Sequence, residues 1–118
     1  MMQRFMRFRG PLSLYMSLTA KQRKYLKALA HHRQPVVQVG HAGMTPALIR
    51  EISKALDFHE LLKIRLPGLE REQRRELLRL ICEATEAEAV QEIGRIAVVY
   101  RRADKPRIAL PADKEKQK

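Results

Sequence analysis

Four histidines and one cysteine are the residues of this 118-residue sequence with the most obvious catalytic or metal-binding chemistry, and their spacing supports neither use. His31, His32, His41 and His59 fit no zinc-ligand pattern, and Cys82 has no second cysteine with which to close a disulfide or a multi-cysteine metal site. No Ser-His-Asp or Cys-His arrangement offers a nucleophile with a base beside it. Cys82 follows Ile81 in an apolar helical stripe, where a thiol serves as a small hydrophobe. The sequence therefore reads as that of a protein without catalytic activity, metal, other cofactor or small-molecule substrate.

Backbone chemistry is the stronger signal. Gly40-His41-Ala42-Gly43 follows an extended segment and directly precedes Met44-Thr45-Pro46, in which Thr45 is a helix N-cap and Pro46 fills the first helical position. Glycines let one backbone approach another closely, and free N–H groups at a helix N-terminus add positive partial charge, so phosphate is the expected guest. The four residues alone describe a ligand-free turn equally well. Their setting between a strand and a capped helix favours a ligand, because a GxxG loop so placed is how KH-like modules clamp a nucleic-acid backbone.

The formal charge is +11, from 24 Lys and Arg against 13 Asp and Glu, and it is clustered. Lys21, Arg23, Lys24, Lys27 and Arg33 share one stretch without a carboxylate, and both ends of the chain are disproportionately basic. Clustered cations suit a polyanion, since each phosphate neutralised releases condensed counterions. Lys21, Lys24 and Lys27 recur every three residues, form a rough row on a helix, and are expected to contact phosphate beside the loop. Lys63, Arg65, Arg95, Arg101 and Arg102 are secondary candidates, and Gly40, His41, Ala42, Gly43 and Thr45 form the loop itself. Glu70, Glu72, Glu76 and Glu83, alternating with Arg71, Arg74, Arg75 and Arg79, read as solvent-facing pairs.

The frame that holds these residues can be read from pattern. Thr19 with Gln22 makes a capping box, and Tyr25, Leu26 and Leu29 continue it as a helix over about 19–30. Val36 to Val39 is a strand. After the loop, Leu48, Ile49, Ile52, Ala55 and Leu56 trace the apolar face of a second helix. Leu61 to Leu66 alternates, with Leu62, Ile64 and Leu66 on one side and Leu61, Lys63 and Arg65 on the other, as a half-buried strand does. Pro67-Gly68 breaks the chain, and Leu77, Leu80, Ile81 and Ala84 stripe a third helix over about 70–85. Ala89 to Ile93 and Ile96 to Tyr100 make a hairpin around Gly94-Arg95. The order is α-β-α-β-α-β-β, and the expected fold is α/β, a mixed four-stranded sheet with helices on one face.

Residues 16–111 resemble a CRM domain (chloroplast RNA splicing and ribosome maturation), in the stand-alone bacterial form known as YhbY-type. The resemblance runs through Leu18-Thr19-Ala20-Lys21-Gln22-Arg23 and Leu29-Ala30-His31, then Val39-Gly40-His41-Ala42-Gly43-Met44-Thr45. It continues in His59-Glu60-Leu61-Leu62-Lys63-Ile64-Arg65, in Val90-Gln91-Glu92-Ile93-Gly94-Arg95 and in Val99-Tyr100-Arg101. It implies a fold similar to the C-terminal domain of translation initiation factor three. It also implies RNA binding through the loop and neighbouring basic residues, and association with ribosomal RNA or precursors of the large ribosomal subunit. A cytoplasmic setting is expected separately, because a lone cysteine fits a reducing compartment.

Residues 1–15 have no counterpart in the family pattern and read as an N-terminal extension or a start set too early, and 112–118 read as a charged tail. No apolar run approaches the roughly 20 residues that span a bilayer, so no membrane is expected as a partner. Two other readings of the charge stay open: a DNA-binding or nucleoid-associated protein, and a protein-interaction adaptor on the ribosome.

Overall fold

Thr19 closes its capping box in both directions. Its Oγ1 accepts from the Gln22 N–H at 3.1 Å, and its own N–H donates to Gln22 Oε1 at 3.2 Å. The helix it opens, α1 (Ala20–His31), is the first element of the computed structural model, which describes residues 18–112. The expected N-terminal extension, and all of the expected tail but Ala112, lie outside the described residues.

The remaining elements follow in the expected order: β1 (Val37–Gln38), α2 (Pro46–His59), β2 (Leu61–Arg65), α3 (Arg71–Thr85), β3 (Glu88–Ile93) and β4 (Ile96–Tyr100). β1 is shorter than the stretch its β-branched residues suggest. The N–H groups of Val36 and Val39 nevertheless donate to the carbonyls of Lys63 and Arg65, at 2.9 and 2.8 Å, so the whole stretch runs along β2.

The strand order is β1-β2-β4-β3. β1 is parallel to β2, while β4 is antiparallel to both β2 and β3. The hairpin strand β4 is thus inserted between β2 and β3, which run parallel to each other across it. Gly94 opens the two-residue hairpin turn at φ +57°, a value a glycine adopts without a steric penalty.

The sheet is covered on both faces, which corrects the expectation of helices on one face. Leu48, Ile52 and Leu56 of α2 and Leu77, Leu78 and Ile81 of α3 meet Leu62, Ile64, Ala97 and Val99 on one side. Leu26 and Ala30 of α1 meet Leu61, Val90, Val98 and Tyr100 on the other. The physical reason is the alternation of β4, whose Ala97 and Val99 point one way and Val98 and Tyr100 the other, all buried. A strand apolar on both faces needs two covers. Burying Leu26 completely contributes about 1.5–3 kcal/mol, which helps dock a 12-residue helix that would be marginal alone.

Cys82 packs against the α2/α3 side of the core, and burial pushes its thiol up to about 11. At neutral pH it is a thiol, a poor nucleophile. Among the described residues no helix is long and apolar enough to cross a membrane.

Candidate nucleic-acid interface

The loop begins where β1 ends against β2. Val39 is buried, its N–H held by Arg65, and the next residue, Gly40, emerges at the sheet edge. Gly40 accepts from the Gly43 N–H at 3.0 Å, closing a turn whose tip, His41 and Ala42, is exposed. Met44 then anchors the chain by packing on the core. Thr45 Oγ1 accepts from the Leu48 N–H at 3.0 Å, and Pro46 starts α2, as the sequence implies.

The two glycines have different reasons to be there. Gly43 sits at φ +72°, a left-handed conformation that costs other residues roughly 1–2 kcal/mol. Gly40 has no such φ, and a Cβ added to it would meet no atom within 4 Å. The fold itself does not require a glycine at 40. What the missing side chain leaves is bare backbone, facing outward beside the positive end of a helix dipole.

Two arginines share this end of the sheet. Arg65, the last residue of β2, is exposed and pairs in register with Gln38 and Ile96. Arg95, in the hairpin turn, donates from Nε to the Leu66 carbonyl at 3.0 Å and lies over Gly68. Its exposed fork extends past the Pro67-Gly68 break.

The other expected contacts are not brought to the loop. α1 covers the opposite face, and the residue before its N-cap is tied to the far edge strand, where the Leu18 N–H donates to the Glu88 carboxylate at 3.0 Å. Its other end lies near the start of β2, where Arg33 donates to the Leu61 carbonyl at 3.0 Å. The loop faces the end of β2, about 13 Å further along at the usual rise per residue. Lys21, Lys24 and Lys27 are exposed on α1 but form a separate basic surface, with Lys21 Nζ 3.4 Å from the Ala112 carbonyl. Lys63 donates to the Arg33 carbonyl at 2.9 Å.

Arg101 is a fastener of the fold. Its Nη1 donates to Ser53 Oγ and the Thr85 carbonyl, at 3.1 and 2.8 Å, and its Nη2 to the Ser53 carbonyl and Asp57, both at 2.7 Å. It joins α2, the end of α3 and the end of β4, with little fork left for a ligand. Arg102 is exposed at the same end, away from the loop.

Sequence reasoning missed Glu60. It is fully buried, caps the C-terminus of α2 at φ 64°, and accepts from the N–H groups of Ala103, Arg107 and Ile108 at 2.9, 2.8 and 2.9 Å. Burial raises its pKa, but those three bonds and the charge of Arg107 outweigh burial and hold the carboxyl below its ordinary value. The four histidines do not converge. His31 and His32 meet edge-on at 5.4 Å, whereas His41 precedes the 14-residue α2 and His59 is its last residue, so these two stand at opposite ends of the helix. Among the described residues no group of three or more His, Cys, Asp or Glu could hold a metal ion.

A four-stranded mixed sheet packed with three helices, with a glycine-bracketed loop delivered by a strand to a helix N-terminus, defines a small α/β domain. Residues 18–101 match the model of the CRS1 / YhbY (CRM) domain, and the chain belongs to that family. It is 42% identical over 95 residues to a Haemophilus influenzae protein named "RNA-binding protein", covering 80% of this chain and 96% of that one. A Pseudomonas aeruginosa protein, provisionally named for the same activity, is 42% identical over 91 residues, covering 77% of this chain and 88% of its own length. The solution structure of a Staphylococcus aureus protein, provisionally assigned to RNA binding, superposes with a TM-score of 0.72 at 36% identity. That match covers 80% of this chain and all of the other.

Proposed function

We propose that this chain is a non-catalytic, cytoplasmic RNA-binding protein of about one domain, residues 16–111, that associates with precursor RNA of the large ribosomal subunit as an assembly factor. The observation that carries the RNA reading is Gly40: a glycine the fold does not need, exposing bare backbone at the start of α2. Family membership and the names of the relatives support RNA as the partner. Gly40 to Gly43, Thr45, Arg65 and Arg95 are the proposed backbone clamp, and the lysine row of α1 is a second, non-contiguous basic surface. Crosslinking in cells followed by sequencing of the attached RNA tests the ribosomal assignment. Enrichment of large-subunit precursor supports it, and a spread over messenger RNA alone rejects it.

Binding should be strongly electrostatic. If about five phosphates are neutralised, log affinity should fall against log salt with a slope of roughly −3.5 to −4.5. A filter-binding series across salt concentrations reads this directly, and a flat response contradicts the clamp. A chain starting at Met16 should melt within about 8 °C of the full chain, the shift that 1–2 kcal/mol produces in a domain this size. A larger drop would mean that residues 1–15 pack into the fold.

A further inference from the structure

The outward side of α2 carries a row that the loop alone does not explain. Pro46, Arg50, Lys54 and Phe58 recur every four residues and are all exposed, so they form one ridge along the helix. The ridge starts beside the GxxG loop and ends about 18 Å away at the usual helical rise. Phe58, at its far end, is 64% exposed, an unusual place for a large aromatic ring.

The surroundings of Phe58 are predominantly cationic, and the His59 ring meets it edge-on at 4.8 Å. The chain after β4 is bound to Glu60 at Ala103, Arg107 and Ile108, so Arg102, Asp104 and Lys105, all exposed, are held around the helix end, and with Arg107 the cations of this segment outnumber its one acid. Arg107 lies over the Phe58 ring, 5.2 Å from its centroid, and also donates to the Phe58 carbonyl. The nearest acid on the helix, Asp57, is bonded to Arg101 at 2.7 Å. A solvent-exposed ring interleaved with cations is the arrangement that stacks an unpaired base and holds its flanking phosphates.

We propose that the Arg50-Lys54-Phe58 ridge is a second contact for single-stranded RNA, with a base stacked on Phe58 and the strand's phosphates led there from the loop by Arg50 and Lys54. The proposal rests on the RNA-binding reading above and adds a direction: the strand runs along α2.

The test uses the full chain and two probes, a mixed-sequence single-stranded RNA of about twenty nucleotides and a blunt duplex of the same sequence. Loss of one stacked base weakens binding about fivefold or more. Phe58→Ala should therefore bind the single strand at least fivefold more weakly and bind the duplex, which offers no free base, as the wild type does. Phe58→Trp should retain affinity, and because the chain has no other tryptophan, its indole fluorescence should be quenched by the single strand. Replacing both Arg50→Gln and Lys54→Gln should make the single-strand salt slope shallower by about 1.4, at about 0.7 per phosphate contact. Equal single-strand affinity for Phe58→Ala and wild type overturns the proposal, as does a parallel loss on both probes. If the loop variants described below lose binding while Phe58→Ala does not, only the ridge is rejected. If the wild-type chain binds neither probe, the RNA reading falls with it.

Discussion

The double variant His41→Asp, Ala42→Asp should lose at least tenfold in RNA affinity while melting like the wild type. Both residues are exposed at the tip of the loop and neither belongs to the core, so their side chains can change without disturbing packing. Each new carboxylate would stand near the proposed phosphate position. At about 5 Å it repels a unit charge by roughly 0.8 kcal/mol in water and about 3 kcal/mol at an effective dielectric of 20. Two such terms give tenfold at the lower limit and a hundredfold with modest burial. Stability should hold, because Asp is common in turns and negative charge near the start of α2 interacts favourably with its dipole. The two glycines sharpen the test. Gly40→Ala should leave melting unchanged or slightly raised, since its Cβ meets nothing and the unfolded chain loses freedom, yet should weaken RNA binding. Gly43→Ala should instead destabilise by about 1–2 kcal/mol through its positive φ. Wild-type affinity in the double variant and in Gly40→Ala would reduce the loop to a turn.

The features that were legible in the sequence are local. The Thr19 capping box, Pro46 at the first position of α2 and the Gly94-Arg95 turn each depend on residues within a few positions of one another, and each forms as read. The side on which α1 packs was not legible, because it is decided by Leu61, Val98 and Tyr100, far away in the chain. Leu61 grouped with Lys63 and Arg65 by alternation, yet is buried, since α1 covers only the first part of that face. A basic residue type does not say whether its charge is free. Arg101 and Arg65 look equivalent in sequence, but one is consumed by four bonds within the fold and the other is exposed. The i, i+4 spacing of Arg50, Lys54 and Phe58 was readable, but the exposure of Phe58 and the cations gathered around it depend on contacts across about 50 residues.

Glu60 is the same lesson in its strongest form, and its removal should produce the largest loss of stability. Its carboxylate partners lie 43 to 48 residues further along, so nothing near it in sequence marks it out. It occupies a backbone conformation, φ 64° and ψ −51°, that is strained for a side chain and costs of order 1–3 kcal/mol. That strain persists because the carboxylate satisfies three backbone donors, and because Ile108 and Leu110 then pack beside α1. Removing it leaves those donors unpaired, at about 1–3 kcal/mol each, or detaches the segment and its apolar contacts. Glu60→Ala should therefore lower the melting temperature by more than about 10 °C. Glu60→Gly relieves the backbone but not the donors, and should recover only part of the loss. The ionised form carries an additional signature in pH. Because the folded pKa lies below the ordinary 4.5, the contribution of Glu60 is complete above that value and is lost as pH falls through the folded pKa. Melting curves of the wild type and Glu60→Gln should stand apart at neutral pH and converge in acid. A constant gap from about pH 7 to pH 2.5 would show that ionisation of Glu60 contributes nothing to holding the C-terminal segment in place.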